Sequence, residues 1–548
     1  MSTERHFEET TLRSHVDLPL TVNRAGDVPM AAQLAGQLRD AMLTGMLKAG
    51  ERVPSTRWLA ASLGVSRTVV TEAYQQLYAE GWLDGRHGSG TYVADVTAIA
   101  PGGDDRPRGR PAGSARSRST REDPLDGEWI DLRPGRAWVL DIDRAAWRRA
   151  WRRAGAAPLA DDPDPFGLPE LREQLARHLR RARAVPAGPE GIMVTRGTGN
   201  GLDLVAATLL RPGDRVGVEE PGYRGARAVF AARGAEVVPC PVDDHGVVTD
   251  NLPGDLRLIY TTPAHQFPLG GRLPITRRER LVAWARRTGA MIVEDDYDAE
   301  FRYDVAPLPA LHGLDPARVI LLGTLSKSLA ADVGVGWLVA EPGLLERIAR
   351  RREDFGDRTS GPVQTAVAAL LDSGDLDRHL RRMRLEYARR RAVVVEILGE
   401  VCPPSRASAG ASAAGEGAPG GDPEGTWRLR GDTAGLHVAV ELPAPVVAPL
   451  VAAARRRGVL LDVIERNYGS AAGPRVHGLV VGYGSATQAQ IAKGCRIVAD
   501  LLAEARRDAR RVEHVGRVEH VGGGAARASE APGPPGPAHE ASEVRSLP

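Results

Sequence analysis

Apolar positions recur at helical spacing near the start of the chain, where Met30, Leu34 and Leu38 fall on one face of a helix that continues to Leu43. A repeat of three to four residues is typical of an amphipathic helix whose apolar face packs on a core. The pattern therefore predicts the first helix of a small domain over residues 28–95, preceded by an N-terminal arm at 1–27.

Two serines mark the starts of the next helices. Ser55 precedes a short apolar run, and Ser66 precedes a longer one that continues to about Glu80. Serine is favoured at this position because its side-chain oxygen accepts a hydrogen bond from a free backbone N–H. Short strands at 82–83 and 91–93 then flank a glycine-rich tip. Together these elements predict a winged helix-turn-helix.

The remainder of the chain has a different pattern. From 128 to 505, apolar β-rich runs alternate with helical patterns, which is typical of an α/β fold with a parallel sheet flanked by helices. The clearest strands are predicted at 192–194, 215–218, 256–260, 291–293 and 319–322. Residues 403–425 are rich in glycine, alanine, proline and serine and are predicted to form a disordered insertion in this domain.

Two further segments are not expected to join a core. Residues 96–127 are rich in proline, glycine and serine, with six arginines and no acid between 106 and 121, and predict a flexible, positively charged linker. Residues 506–548 contain two tandem copies of RVEHVG, which are too few for a repeat fold. We expect this tail to be disordered.

Composition narrows the class of protein. With 548 residues, of which 42% are hydrophobic, the chain can form two or three domains with large cores. The charged N-terminus and the lack of a long apolar run predict neither a signal peptide nor a membrane span. Because Cys240, Cys402 and Cys495 are far apart, we expect no disulfide framework, no metal site and a cytoplasmic location.

Polar side chains of the helix-turn-helix are candidates for contact with double-stranded DNA. In this geometry the second helix lies in the major groove. There Arg67 can form a bidentate hydrogen bond with guanine, and Ser66 and Thr68 can reach phosphates or bases. The other candidates lie at the start of the preceding helix and at the hairpin tip, and are Arg57, Arg86, His87 and Gly88. The alternative is a helical protein-interaction domain whose arginines are merely solvated.

The large domain carries candidates for an aldehyde cofactor. Asp295 and Lys327 each follow a predicted strand, and ligands of open α/β sheets bind beyond the carboxyl ends of the strands. A lysine can form an imine with an aldehyde, and a carboxylate can hold a ring nitrogen protonated. Tyr297 can donate to a ring hydroxyl, and the loop containing Thr198 and Gly199 can cradle a phosphate at a helix N-terminus.

The amino-acid sequences of several segments resemble those of known families. PSTRWLA, GVSRTV and GSGTYV, at 54–60, 64–69 and 88–93, resemble the winged helix of the GntR family. The series in the large domain resembles the fold-type I aminotransferase domain of the MocR subfamily of GntR regulators, and comprises GLPELR, EPGY, TPAHQFP, EDDYD and GTLSK, which begin at 167, 220, 262, 294 and 323.

The resemblance implies a binding site for pyridoxal 5′-phosphate (PLP). It implies that Lys327 forms the Schiff base, Asp295 pairs with the pyridine nitrogen, Tyr297 bonds the ring oxygen and Tyr223 stacks on or flanks the ring. It further implies that the phosphate is contacted by Thr198, Gly199, Thr324 and Ser326. A homodimer that binds a two-fold operator is also expected.

Two features of the implied site differ from the family pattern or extend it. Gly334 stands where the family has an arginine that binds the phosphate, and Asp332 adds a negative charge nearby. A charge-assisted hydrogen bond is worth about 1.5–3 kcal/mol, so either PLP affinity is lower by about ten- to a hundredfold or another arginine substitutes. His265 and Gln266 lie in the loop where related aminotransferases place an asparagine at the cofactor oxygen.

Three functions remain open on the sequence alone. The first is a regulator whose aminotransferase-like domain senses PLP, alone or with a small amine or amino-acid effector. The second is a working aminotransferase with a DNA-binding arm, for which Arg466 and Arg475 are candidates to bind a substrate carboxylate. The third is a regulator that has lost PLP binding. We expect the first, with any transaminase activity vestigial.

Overall fold

The computed structural model describes residues 20–24, 28–43, 46–86, 90–94, 129–304, 308–404, 427–431 and 433–525. The predicted linker at 96–127 lies outside these ranges, as do most of the N-terminal arm and of the insertion at 403–425, and the chain beyond 525. His87 and Gly88 of the hairpin tip also lie outside them.

The N-terminal domain has the predicted order of helices and strands. Its elements are α1 (Met30–Leu43), α2 (Thr56–Leu63), α3 (Arg67–Glu80), β1 (Leu83–Arg86) and β2 (Gly90–Val93), with β1 and β2 antiparallel. The winged helix-turn-helix prediction is therefore confirmed. One face of each helix is buried in a shared core, which includes Leu34, Leu38, Leu59, Val70 and Leu77.

Both serine caps form as the sequence predicts. The side chain of Ser55 accepts from the N–H of Trp58, and that of Ser66 accepts from the N–H of Val69. Gly64 and Gly81 end α2 and α3 in the left-handed region, at φ of 64° and 83°. Glycine adopts this conformation without a Cβ clash, so both helices stop where the turn and the hairpin must begin.

The large domain contains the remaining elements. Its strands are β3 (Ile130–Asp131), β4 (Ile192–Thr195), β5 (Arg215–Glu220), β6 (Glu236–Asp243), β7 (Gly246–Val247), β8 (Leu258–Thr261), β9 (Met291–Asp296), β10 (Val319–Thr324), β11 (Gly336–Val339), β12 (Arg428–Arg430), β13 (His437–Glu441), β14 (Val459–Leu460), β15 (Asp462–Val463) and β16 (Gly478–Gly482). Its helices are α4 (Arg144–Ala156), α5 (Pro169–Arg183), α6 (Thr198–Leu209), α7 (Arg224–Ala232), α8 (Ile275–Thr288), α9 (Pro342–Asp354), α10 (Gly361–Asp372), α11 (Asp375–Gly399), α12 (Ala444–Arg456) and α13 (Gln488–Ala525).

An eight-stranded sheet forms the centre of this domain, in the order β4-β11-β10-β9-β8-β5-β6-β7. The five strands from β10 to β6 are parallel, whereas β11 is antiparallel to both β10 and β4. The α/β prediction is confirmed, although the sheet is mixed rather than wholly parallel. All six residues of β10 are buried, because helices cover both faces of the sheet, and this explains its continuous apolar sequence.

A second, four-stranded sheet in the order β12-β13-β16-β15 lies in the C-terminal part of the domain. The short pair β14–β3 joins this part to the first described residues of the domain, since Ile130 pairs with Val459. The main apolar core of the large domain extends across both parts, from Leu132 through Leu321 to Val498. The segment that begins near residue 129 is therefore fixed against the C-terminal part.

The expected tail boundary at 506 is wrong for residues 506–525, because α13 continues to Ala525. Ala505 and Ala509 pack against the core, and the guanidinium of Arg506 donates to the carbonyl of Val401 at 2.7 Å. Four of the six residues from 506 to 511 are arginines, which favour helix, and the first glycine comes only at 516. These propensities and contacts carry the helix past the predicted boundary.

The winged domain packs directly on the large domain. Ile275, the first residue of α8, is 4% exposed and belongs to the core of the winged domain, where Leu314 also packs. Gly81 makes room for this contact, since a Cβ at that position would lie 3.3 Å from Cβ of Pro274. The contact connects the end of α3 to the start of α8.

Among the residues that the structure describes, no helix combines the length and the hydrophobicity needed to cross a membrane.

Replacing Gly336 by alanine should destabilise the large domain. The added Cβ would lie 2.5 Å from the carbonyl oxygen of Gly323 and 2.6 Å from Cα of Gly197, so the strands must move apart. We expect the free energy of unfolding to fall by about 1–3 kcal/mol. Guanidinium unfolding measures this change. Gly361→Ala is the control, since its Cβ meets open space, and an equal loss in both variants would contradict the packing argument.

Candidate cofactor and DNA-binding sites

The register of β9 and β10 brings the two predicted cofactor residues to one edge of the sheet. Asp295 of β9 pairs with Leu322 of β10, and both parallel strands end within two residues of that pair. Lys327 lies three residues beyond the end of β10, on the side of the sheet where open α/β folds have their ligand crevice. The fold therefore places both residues at the same edge of the sheet, and their roles in cofactor binding stay a prediction.

Lys327 is held under the segment that leads into α4. Its Nζ donates a hydrogen bond of 2.5 Å to the carbonyl oxygen of Gly135. Burial lowers the pKa of this amine, while the carboxylates of Asp298 and Asp295 oppose that change. The amine therefore loses a proton more readily than a surface lysine, which favours its action as a nucleophile.

Asp295 is a buried acid with an unsatisfied oxygen. It is 5% exposed, and its Oδ2 accepts a hydrogen bond of 2.6 Å from the hydroxyl of Tyr260. Its Oδ1 is buried with no hydrogen-bond partner among the described residues. Burial raises the pKa of Asp295 to about 7. An N–H donor that also carries positive charge, such as a pyridinium, would satisfy this oxygen and favour its ionised form.

The other acids of the EDDYD segment have partners of their own. Glu294 accepts from the backbone N–H groups of Leu311 and His312, at 2.8 and 2.9 Å. Asp296 pairs with Arg183, whose Nε lies 2.6 Å from Oδ2, although its Oδ1 is also unpartnered. Because side chains alternate across a strand, these two acids lie on the face opposite Asp295. The segment therefore presents one acid of β9 to the crevice.

Tyr297 lies against the loop that carries His265. Its hydroxyl is 3.0 Å from the carbonyl oxygen of His265 and 3.1 Å from Nδ1 of the same residue. His265 in turn lies 3.0 Å from Oδ2 of Asp298, and both side chains are almost completely buried. The sequence analysis does not predict the pairing of Asp298 with His265, because the two residues are 33 positions apart in the chain.

Tyr223 and its aromatic neighbours line the crevice. The ring of Tyr223 is 38% exposed, and its centroid lies 6.4 Å from that of Tyr260 and 6.3 Å from that of Phe267. Burial and the charge of Asp295 raise the pKa of Tyr223. A flat ligand whose ring nitrogen faces Asp295 would therefore meet an exposed aromatic ring.

The first turn of α6 offers backbone donors for a phosphate. Its N-cap residue, Gly197, has φ of 105° and provides no side-chain hydrogen bond to the helix, which begins at Thr198. A Cβ on Gly197 would be 3.7 Å from Oγ1 of Thr324, and this hydroxyl donates to Oγ of Ser326 at 3.0 Å. Free N–H groups and two hydroxyls thus converge, as a bound phosphate requires.

No arginine stands at position 334. Gly334 is left-handed, at φ of 58°, and Asp332 beside it is exposed. The arginine that precedes the phosphate loop, Arg196, is paired with Asp357 at 2.6 Å. A second contact, from Asn200 to Asp357 at 3.3 Å, holds that acid against the loop.

Within the described chain, the contacts of Gln266, Arg466 and Arg475, three further residues singled out from the sequence, do not involve Lys327. The amide of Gln266 donates to the carbonyls of Pro221 and Phe267, at 2.9 and 2.7 Å, so it holds its own loop together. Arg466 pairs with Asp462 at 3.2 Å, and Arg475 is exposed in the loop before β16. In the described part of the chain, none of the contacts found for these residues reaches Lys327.

The predicted DNA-contacting residues share an exposed face of the winged domain. Arg57, Ser66, Arg67 and Thr68 are all exposed at the N-terminal ends of α2 and α3. Nε of Arg67 lies 3.4 Å from Oγ1 of Thr56, which links the two helix starts. The structure thus brings these four together; Arg86 ends β1, and the hairpin tip beyond it lies outside the described residues.

Comparisons with known proteins match a family to each of the two domains. Residues 30–93 match the family described as bacterial regulatory proteins, gntR family, and residues 143–413 match aminotransferase class I and II. The chain also resembles a solved structure of LysN, the alpha-aminoadipate aminotransferase of Thermus thermophilus, complexed with N-(5′-phosphopyridoxyl)-L-leucine. The TM-score is 0.59 and the identity 25%, over 69% of this chain and 92% of that one.

Two relatives that are named as regulators match about 70% of this chain. The HTH-type pyridoxine biosynthesis transcriptional regulator PdxR of Corynebacterium glutamicum is 38% identical over 70% of this chain and 82% of its own length. The probable rhizopine catabolism regulatory protein MocR of Rhizobium meliloti is 37% identical over 69% of this chain and 79% of its own. This chain belongs to the GntR family of transcriptional regulators, in the MocR type that joins a helix-turn-helix to an aminotransferase-like domain.

Proposed function

We propose that this regulator binds PLP at Lys327 and that occupancy of this site changes its binding to operator DNA. The observation that carries the proposal is Oδ1 of Asp295, a buried oxygen that has no hydrogen-bond partner in the described part of the chain and whose carboxylate interacts with the amine of Lys327. PLP supplies an aldehyde, a ring nitrogen and a phosphate. The site offers an amine of lowered pKa, an unsatisfied carboxylate oxygen and a free helix N-terminus for these groups.

Each residue then has a defined task. Lys327 holds the carbonyl carbon, and Asp295 holds the ring nitrogen and its proton. Tyr223 covers one side of the ring, while Tyr297 donates to the ring oxygen. The phosphate would be held at the start of α6 by backbone N–H groups and by four residues, namely Thr198, Gly199, Thr324 and Ser326. The absence of an arginine at 334 lowers affinity, which suits a sensor that must release its ligand as concentration falls.

Sensing is favoured over transamination by the surroundings of the candidate arginines. A transaminase must hold the substrate carboxylate beside its lysine, typically through an arginine. Arg466 is engaged with Asp462 on the surface, and Arg475 is exposed. The relatives reported above are also named as transcriptional regulators.

A continuous set of contacts links the crevice to the winged domain. Arg278 of α8 is buried and donates to the carbonyl oxygens of Pro263, Leu273 and Pro309, at 3.2, 2.8 and 2.9 Å. Pro263 precedes the loop residue His265 by two positions, while Ile275 on the same helix lies in the core of the winged domain. A ligand that fixes this loop therefore acts on the surface that holds the winged domain.

A homodimer completes the proposal. A two-fold operator requires two recognition helices at a set spacing. Large apolar side chains are exposed in the segment around α4, with Leu140 66%, Leu159 85% and Trp151 36% exposed. Pairing of this segment in two copies would remove those side chains from water.

PLP should change operator affinity in the wild type and not in Lys327→Ala. We expect a change of about 5- to 150-fold, the usual range for coupled sites. Fluorescence anisotropy measures it, with a DNA fragment selected from a random pool by the full-length protein without PLP. Lys493→Ala is the control, because that lysine is exposed on α13. Equal affinity and footprint with and without PLP in the wild type would contradict the proposal.

Replacing Arg67 by alanine should weaken DNA binding through loss of a contact in the major groove. A bidentate arginine–guanine contact is worth about 1–3 kcal/mol, so the affinity for the selected fragment should fall by about 5- to 150-fold, with less effect on random DNA. Arg211→Ala removes an exposed arginine of the large domain and serves as the control. Similar losses on both DNAs would assign Arg67 to phosphate contact instead.

Replacing Ile275 by alanine should uncouple the two sites. The side chain packs in the core of the winged domain but not in the cofactor crevice. We expect the PLP-dependent change in DNA affinity to shrink at least severalfold while the affinity for PLP, titrated by absorbance, stays within about twofold of wild type. An undiminished response to PLP would show that this contact does not carry the coupling.

A further inference from the structure

His265 and Asp298 form a buried pair that also contacts the hydroxyl of Tyr297. Nδ1 of His265 lies 3.0 Å from Oδ2 of Asp298 and 3.1 Å from the hydroxyl of Tyr297. The two side chains of the pair are 1% and 2% exposed. Gly435 closes over them at φ of 74°, since a Cβ there would lie 2.0 Å from Cε1 of His265 and 2.7 Å from Oδ2 of Asp298.

Asp298 fixes the position of the imidazole proton. A buried carboxylate needs donors, and Nδ1 of His265 can supply one only when it carries the proton. Moving the proton to Nε2 would withdraw that donor from Asp298. It would also place an N–H at a buried atom that has no partner among the described residues. Both effects favour the neutral tautomer that carries its proton on Nδ1.

The location of that proton decides what Tyr297 can do. An Nδ1 that carries a proton cannot accept one, so it can only donate toward the oxygen of Tyr297. The tyrosine proton is then shared between the carbonyl of His265, 3.0 Å away, and any ligand oxygen in the crevice. An unprotonated Nδ1 would instead accept the tyrosine proton and withdraw it from the ligand.

We propose that Asp298 is a positioning residue: by keeping the His265 proton on Nδ1, it keeps the Tyr297 hydroxyl available as a donor to the ring oxygen of PLP. The inference rests on the proposed binding of PLP at Lys327. It assigns a role to Asp298, the last acid of the EDDYD segment. The binding roles proposed above for the ring nitrogen and the phosphate do not involve this residue.

The neighbouring groups are consistent with this role. The ring of His437 lies 4.8 Å from that of His265, and its Nε2 donates to the carbonyl of Pro268. Burial and the nearby His265 hold the pKa of His437 well below its usual range, so it stays neutral. The ligand-type atoms of His265, Asp298 and His437 lie within 4.8 Å of one another, but these contacts are those of hydrogen-bonded side chains. The other titratable groups facing the pair or Lys327 are Asp295, Glu219, Tyr303 and Tyr483.

The pH midpoint of the imine band of the PLP-loaded protein tests the proposal. A donor to the ring oxygen stabilises the form that has lost the imine proton, so Tyr297→Phe should raise the midpoint by about one to two pH units. Asp298→Asn should act through the same hydroxyl. The shift that Asp298→Asn causes in the wild type should be more positive, by about one pH unit, than the shift that it causes in the Tyr297→Phe background. Thermal unfolding of each variant checks that the fold is retained.

Charge alone would give a different result. Loss of the carboxylate charge near Lys327 lowers the midpoint by the same amount in both backgrounds, and equal shifts would overturn the proposal. Nitrogen-15 spectra of histidine-labelled protein, with His265→Gln used for assignment, give an answer that does not need PLP. A protonated Nδ1 supports the proposal, and a bare Nδ1 contradicts it. A wild type without an imine band would refute PLP binding while leaving this spectrum as the test of the pair.

Discussion

A buried carboxylate at the end of a central strand is the constraint on which the site depends. Asp295 has little exposure, one hydrogen bond from Tyr260 and a pKa raised to about 7 by burial. Leaving an acid in this state costs free energy unless a cationic donor meets its second oxygen. The crevice, the amine of Lys327 and the aromatic wall are arranged around that requirement. The acid is therefore better explained by a ligand than by stability.

The same sheet connects this acid to the rest of the molecule. Close approach of the strand that begins at Gly336 to Gly197 sets the loop before α6, the proposed phosphate site, against β10. On the other side, the loop carrying His265 is tied to Arg278, and the helix of Arg278 begins with a residue buried in the winged domain. The proposed ligand site and the winged domain are thus connected by a short series of packed elements, as a regulator needs.

Sequence reasoning succeeded where the determining signal is local. The caps at Ser55 and Ser66 depend on neighbouring residues and form as predicted. The cofactor roles of Asp295 and Lys327 stay predictions, which rest on the rule that ligands collect at strand ends. Sequence reasoning did not find the pairing of Asp298 with His265 or the contact of Ile275 with the winged domain, since both depend on tertiary packing across long separations. The sequence analysis does not predict the continuation of α13 past 505, which depends on the arginine-rich stretch 506–511 and on the packing of Ala505 and Ala509 against the core.

Identification of the modified lysine tests the central claim most directly. The chain has three lysines, Lys48, Lys327 and Lys493, so the assignment is unambiguous. Full-length protein is incubated with PLP, reduced with borohydride and analysed by peptide mass spectrometry. The account predicts a phosphopyridoxyl group on Lys327. Labelling confined to Lys48 or Lys493, or no labelling at all, would contradict it.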